Sequence, residues 1–320
     1  QAIRLGRSIA INLSFGNNYG SHRGDSLLET YLDNVSGMGK NVICVGMGNN
    51  GNDALHTGGK LSPGEIQEIE LGVGAFEPTL NVQLWKNYED EMEIYLENPA
   101  GERVGPLFET LGAQRWQAGN TELLIYYGKP APYHVTQEIY VDFLPQDETP
   151  PYVDSGVWKI ILAARNIKNG EYFLWLPGGK TLNPGTAFYL PRPQGTLTRV
   201  ISVGAYDARQ NTYADFSGRG CRALPYPKPD LVAPGVDIYA PRSGGGYASF
   251  TGTSFSTPFV TGAAALLMEW GITRRKDPYL YGEKLKAYLR RGAKALQGSE
   301  KLPNDLIGWG RLCLESSLPE

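Results

Sequence analysis

The chain is expected to fold as an α/β core on a parallel sheet, interrupted by an inserted all-β domain, and three features of its text predict this. Outside residues 61–198, apolar strand segments alternate with helical segments, the order that a parallel sheet flanked by helices requires. Within 61–198 the pattern changes to period-2 alternation punctuated by Pro and Gly, which marks half-buried strands. After 198 the strand-and-helix text resumes, so the β-rich stretch reads as an insertion. The expected divisions are 1–60 for the first part of the core, 61–198 for the insert and 199–320 for the second part. A chain of 320 residues with 41% apolar content is long enough to bury two cores.

In chain order, Ile11-Asn12-Leu13-Ser14-Phe15-Gly16 reads as a strand and its exit, and Leu27 to Met38 as a helix. Asn41 to Val45 is an apolar strand in which Cys44 belongs to the core. Gly48-Asn49-Asn50-Gly51 is a turn cluster. In the insert, Leu80–Trp85, Glu91–Leu96, Glu122–Tyr127 and Glu138–Phe143 alternate as strands. Val157–Ala164 and Glu171–Leu176 flank Asn169-Gly170, which predicts a hairpin. Short strands with such turns make a β-sandwich or jelly roll. Trp85, Trp116, Trp158 and Trp175 fall at strand positions, as core residues or, alternatively, as stacking platforms for carbohydrate. A helix is expected again at Gly282 to Arg291.

The segment richest in chemistry is Thr251-Gly252-Thr253-Ser254-Phe255-Ser256-Thr257-Pro258 and the small-residue helix that follows it. A serine hydroxyl is a weak nucleophile that needs a base and fixed amide donors, and a helix start supplies the donors. Gly252 permits a sharp turn and close approach of another chain. Ser254 falls in the first turn, with Pro258 early enough for its missing N–H to be tolerated. The helix is apolar all round, which predicts full burial.

The octet resembles the nucleophile motif of the subtilisin-like serine proteases. Ile11–Gly16, Val45-Gly46-Met47-Gly48-Asn49-Asn50-Gly51, Ile201–Asp207, Asp215–Gly220 and Pro229–Val236 match further segments of that family in the family's order. Carried over, the resemblance makes Ser254 the nucleophile and Asn49 the side-chain donor of the oxyanion hole, with the Ser254 N–H as second donor. It makes Ser14, Phe15 and Gly16 the strand edge that pairs with substrate, and places Met47, Gly48 and Gly252 around the bound peptide. A jelly-roll-like insert at this point is similar to the clostridial Csp group of subtilisin-like proteases. That likeness implies activation of a cortex-lytic pro-enzyme during spore germination, and a spore-associated location.

The family's triad Asp and His lie in motifs upstream of the Ile-Asn-Leu-Ser-Phe-Gly strand, whereas this chain opens at Gln1, ten residues before Ile11. None of its histidines, His22, His56 and His134, is followed by Gly-Thr. His22 is expected in a polar loop, His134 on a strand, and His56 at the surface or lining the cleft. The partners implied are a polypeptide substrate and an upstream segment of the same protein carrying Asp and His, with a cleaved propeptide as a further candidate. The expected activity is that of a serine endopeptidase, incompetent as this chain alone; the alternative is an inactive subtilase serving as a binding or signalling scaffold. Phe255 stands where the family commonly has Met, and Phe259 where it commonly has His, which suggests an apolar neighbour for Phe259.

A net charge of −3 gives no electrostatic case for nucleic acid. The three cysteines, Cys44, Cys221 and Cys313, have neither metal-site nor disulfide-framework spacing. No metal or other cofactor is expected, and no run is long and apolar enough for a membrane span.

Overall fold

The structure is a computed structural model that describes all residues except 17, 133–134, 148, 150, 179–181, 190–199, 221–226, 300 and 319–320. It divides into two compact units, one formed by Gln1–Asn17, His22–Asn52 and Pro193–Glu320, the other by Asn18–Ser21 and Asp53–Arg192. The chain opens with β1 (Ile9–Leu13), α1 (Leu27–Ser36) and β2 (Asn41–Gly46). There follow β3 (His56–Lys60), β4 (Ile66–Val73), β5 (Leu80–Asn87), β6 (Glu91–Glu97), β7 (Arg103–Val104) and β8 (Ala113–Ala118). Next come β9 (Thr121–Tyr127), β10 (Thr136–Pro145), β11 (Gly156–Asn166), β12 (Glu171–Trp175) and β13 (Ala187–Phe188). The last part holds β14 (Ile201–Asp207), β15 (Thr212–Tyr213), β16 (Leu231–Pro234), β17 (Ile238–Pro241) and β18 (Tyr247–Phe250). Its helices are α2 (Thr253–Met268), α3 (Gly282–Gly292) and α4 (Leu314–Ser317).

In the first unit β1, β2, β14 and β16 lie side by side, all parallel, and β15 pairs antiparallel with the end of β14. Strands β2 and β14 are near-continuous apolar runs, as parallel strands covered on both faces must be. Val42, Cys44, Val203 and Ala233 of the sheet share one core with Val260, Ala264 and Leu267 of α2. Small residues let α2 approach closely: a Cβ on Gly46 would meet Thr257 Oγ1 at 3.1 Å. Burial of α2 is one-sided, however. Phe259 is 45% and Leu266 54% exposed, so the expectation of a helix covered all round does not hold. The all-apolar text specifies that the helix can be covered on any face; which face is covered depends on what packs there.

Helix α1 starts with a capping box, in which Ser26 Oγ accepts from the Glu29 N–H and the Glu29 carboxylate accepts from the Ser26 N–H. None of its residues is buried. Asp230, at the entry to β16, is fully buried and ties the base of the sheet together. It accepts hydrogen bonds from Ser202 N (2.7 Å), Ser202 Oγ (2.9 Å) and Lys228 Nζ (2.7 Å). Arg290 of α3 donates both Nε and Nη2 to it. Burial by itself would raise this carboxyl, but the charges of Lys228, Lys286 and Arg290 outweigh burial and hold it at about 2.

The second unit consists of two antiparallel sheets, ordered β3-β12-β5-β10-β9-β8 and β13-β4-β11-β6-β7. Their facing sides make one core, with Leu84, Ile125 and Phe143 from the first sheet and Leu71, Ile94 and Trp158 from the second. The Phe143 and Trp158 rings meet edge to face at 5.0 Å, and Trp158 Nε1 donates to the Asp154 carbonyl. Trp158 is fully buried, and Trp85 and Trp175 are buried as well.

One expectation fails here: β11 and β12 do not pair. Strand β11 lies between β4 and β6, whereas β12 lies between β3 and β5 in the other sheet. The Asn169-Gly170 turn therefore carries the chain from sheet to sheet. The Asp90 carboxylate accepts the N–H groups of Lys168, Asn169 and Gly170, which stabilises this turn without a hairpin ladder. An Asn-Gly pair specifies a reversal, and the side chains of β12 decide which sheet it joins.

Candidate active site

The first unit's parallel strands β2 and β16 end near the start of α2, the end of an open sheet at which ligand sites form. Ser254 is the second residue of α2, whose N-cap is Gly252. Gly252 has φ +153°, donates its N–H to the Gly235 carbonyl at 2.8 Å, and would put a Cβ 3.0 Å from Asn49 Nδ2. A side chain there is both strained and in the way.

Asn49 follows the end of β2. Its Oδ1 accepts two hydrogen bonds from Thr253, from N–H at 2.8 Å and from Oγ1 at 3.0 Å. With the carbonyl end of the amide held, the Nδ2 end faces Gly252. Among the described residues, neither Asn49 Nδ2 nor the Ser254 N–H makes a hydrogen bond. Two donors thus stand unengaged at the start of α2, the positive end of a 16-residue helix. Such an arrangement is suited to receiving an oxyanion.

The Ser254 hydroxyl donates to the Ser14 carbonyl at 3.0 Å, and the Ser14 hydroxyl donates to the Ser254 carbonyl at 2.9 Å. The partner of the Ser254 hydroxyl is therefore a backbone oxygen rather than an imidazole or carboxylate. Ser14 lies just beyond β1, followed by Phe15, which is 68% exposed, and the exposed Gly16. Met47 N donates to the Val203 carbonyl and Gly218 N to the Gly48 carbonyl, both at 3.0 Å, and Gly48 adopts φ +88°. The Gly218 bond, with one from Gly51 N to the Phe216 carbonyl at 2.8 Å, holds two loops together backbone to backbone: a Cβ on Gly51 would lie 2.0 Å from the Ser217 carbonyl oxygen. Phe255 stacks on Phe250 of β18 at 4.9 Å, which gives the ring beside Ser254 a fixed apolar support.

Two of the histidines are buried where the sequence suggested exposure. His22 lies in the loop before α1, as expected, with φ +55°, but it is buried there. His56 begins β3 and is buried with its ring 3.9 Å from that of Trp175, so it is not a surface histidine. His134 lies outside the described residues. Burial of Cys44 pushes its thiol up to about 12, while Cys313, hydrogen-bonded to Ser316, is held below the usual thiol range. Cys221 lies outside the described residues.

Among the described residues no group of His, Cys, Asp and Glu side chains could hold a metal ion, and no helix is long and apolar enough to cross a membrane. Two features of the site escaped the sequence reading. The Thr253 clamp on Asn49 was visible only as a threonine in a motif, and the Ser14–Ser254 exchange only as a proline four residues after a serine.

The family model for the subtilases, Peptidase S8, matches residues 160–310. The solved structure of the Clostridium perfringens CspB protease superposes with a TM-score of 0.87 at 34% identity, covering 99% of this chain and 66% of that one. Serine protease AprX of Bacillus subtilis (strain 168) is 32% identical over 145 residues, 39% of this chain and 31% of that protein. Alkaline elastase YaB of Bacillus sp. (strain YaB) is 35% identical over 107 residues, 33% of this chain and 25% of that protein. The chain therefore spans 66% of the CspB chain and 31% or less of these two curated relatives.

Proposed function

We propose, from the premise that this chain is a subtilase with resemblance to the C. perfringens CspB protease, that it is the C-terminal part of a serine endopeptidase. Ser254 Oγ attacks the scissile carbonyl and gives its proton to a general base; the resulting oxyanion is received by Asn49 Nδ2 and the Ser254 N–H. Collapse of the tetrahedral intermediate expels the amine, which takes the proton, and leaves an acyl-enzyme that water hydrolyses. The observation that carries this reading is the pair of unengaged donors at the start of α2, the turn that also bears the Ser254 hydroxyl. Ser14, Phe15 and Gly16 offer main-chain groups to an extended peptide, and Met47, Gly48 and Gly252 line its path.

The base and its orienting acid come, in this reading, from an upstream segment. Three faces of the first unit would accept one: β1 pairs on one side only among the described residues, α1 has no buried residue, and α2 bares Phe259 and Leu266. An open apolar edge on a parallel sheet is unusual, because such strands are normally covered. The physiological substrate we favour, on the Csp resemblance, is the pro-form of a spore cortex-lytic enzyme. We also read the second unit as a jelly-roll-like insert, since β4, β5 and β6 alternate between its sheets; the β8-β9-β10 meander departs from that pattern.

A second reading, an inactive scaffold, draws on the Ser254 hydroxyl being bound to a carbonyl instead of a base. The complete protein decides between them. Hydrolysis of a peptide substrate and labelling by a fluorophosphonate, both abolished by Ser254→Ala, are expected. Hydrolysis that survives Ser254→Ala would overturn Ser254 as nucleophile, and a complete protein that neither hydrolyses nor labels is the scaffold.

A further inference from the structure

Pro258 is the residue whose N–H should close the helical bond to the carbonyl of Ser254, four positions earlier, and proline has none to give. It is the sixth residue of α2, beyond the first turn where the loss would be free, so the expectation that it comes early enough to cost nothing does not hold. The orphaned carbonyl is met by the Ser14 hydroxyl at 2.9 Å. Asn12 Nδ2 donates to that same hydroxyl at 2.9 Å, which occupies an oxygen lone pair and leaves the proton for Ser254. Asn12 Oδ1 in turn lies 3.2 Å from Thr261 Oγ1, two turns further along α2. A polar brace thus runs from the exit of β1 along the first turns of the helix.

We infer that Ser14 is a positioning residue: its hydroxyl supplies the hydrogen bond that Pro258 cannot, and so fixes the helical turn carrying both the nucleophile and an oxyanion donor. This rests on Ser254 being the nucleophile. The Ser254 carbonyl and Oγ belong to one residue, and its N–H is one peptide away. A carbonyl free to tilt under the pressure of the proline ring would move the hydroxyl and the donor together. Small displacements of this kind act on turnover far more than on ground-state binding. The role differs from that of a substrate-pairing edge, which uses only the main chain of Ser14 and is untouched by removing its hydroxyl.

The test compares Ser14→Ala, Ser14→Thr, Pro258→Ala and the double variant Ser14→Ala/Pro258→Ala in the complete protein, with Ser254→Ala as control. Ser14→Ala is expected to lower kcat about ten- to a hundredfold with KM nearly unchanged. Ser14→Thr keeps the hydroxyl and should retain turnover, and Pro258→Ala, which restores an N–H, should rescue Ser14→Ala. Thermal unfolding should show the same coupling: Ser14→Ala lowers Tm by about 2 °C when Pro258 is present and by less in the Pro258→Ala background. An unchanged kcat in Ser14→Ala while Ser254→Ala is inactive overturns the inference and leaves the nucleophile assignment standing. A lowered kcat that Pro258→Ala does not rescue, with additive Tm changes, overturns the inference too. Activity that survives Ser254→Ala removes the reading on which it rests.

Discussion

Ser14 and Ser254 each donate a hydroxyl to the other's backbone carbonyl, across 240 positions of sequence. The exchange joins the exit of β1 to the start of α2 and gives the Ser254 hydroxyl a resting partner that cannot take its proton. A carbonyl oxygen orients a hydroxyl without activating it, so a base must displace this contact before attack.

The chain by itself should accordingly resist a fluorophosphonate probe. Gel fluorescence of the purified chain is expected to match that of Ser254→Ala, and strong labelling without any added polypeptide would show that a base is already in place.

Asn49→Ala in the complete protein removes one of the two oxyanion donors. Loss of such a donor from a subtilisin costs about a hundred- to a thousandfold in turnover, and a similar loss is expected here. Thr253→Ala should cost less, since Asn49 keeps its bond to the Thr253 N–H and loses only the one to Oγ1. Steady-state kinetics on a peptide substrate would check both, and a normal kcat in Asn49→Ala would remove Asn49 from the site.

Gly252→Ala should impair turnover without any change in the charge of the site. Its φ of +153° and the 3.0 Å approach to Asn49 Nδ2 leave no room for a methyl group unless the amide moves. Kinetics of the complete protein would detect it; wild-type kcat in this variant would mean that the amide position is unimportant.

Acid should weaken the first unit through Asp230. Its folded-state pKa of about 2 lies below the value of about 3.9 for an unfolded Asp, so its stabilisation is complete above pH about 4. That contribution is lost as the pH falls from about 4 towards 2. Asp230→Asn leaves the buried Lys228 without its counter-charge, at a cost of about 3–5 kcal/mol. Urea unfolding at pH 7 and pH 3 checks both, and the variant should lose the wild type's pH dependence across that window.

Alkylation should separate the two described cysteines. Cys44 is fully buried with its thiol raised to about 12, and should stay unmodified by iodoacetamide at pH 8 in the folded chain, whereas Cys313 reacts. Peptide mass mapping of the alkylated protein reads the order directly, and early modification of Cys44 would contradict its place in the core.

Much of this protein was legible in its residues because the chemistry is local. The apolar runs of β2 and β14, the alternation of β5 and β10, the turn glycines and the Gly252-Thr253-Ser254 start of α2 each act through their own backbone geometry. Period, charge and turn residues report such geometry faithfully. What only the tertiary structure decided involves partners far apart in sequence. It set which sheet β12 joins after Asn169-Gly170, which face of α2 is covered, where His22 and His56 are buried, and how Thr253 turns Asn49. It also revealed that Ser14 meets the carbonyl abandoned by Pro258. No local rule contains these, because a hydrogen bond or a packed face between distant segments exists only after the chain has paid the entropy of bringing them together.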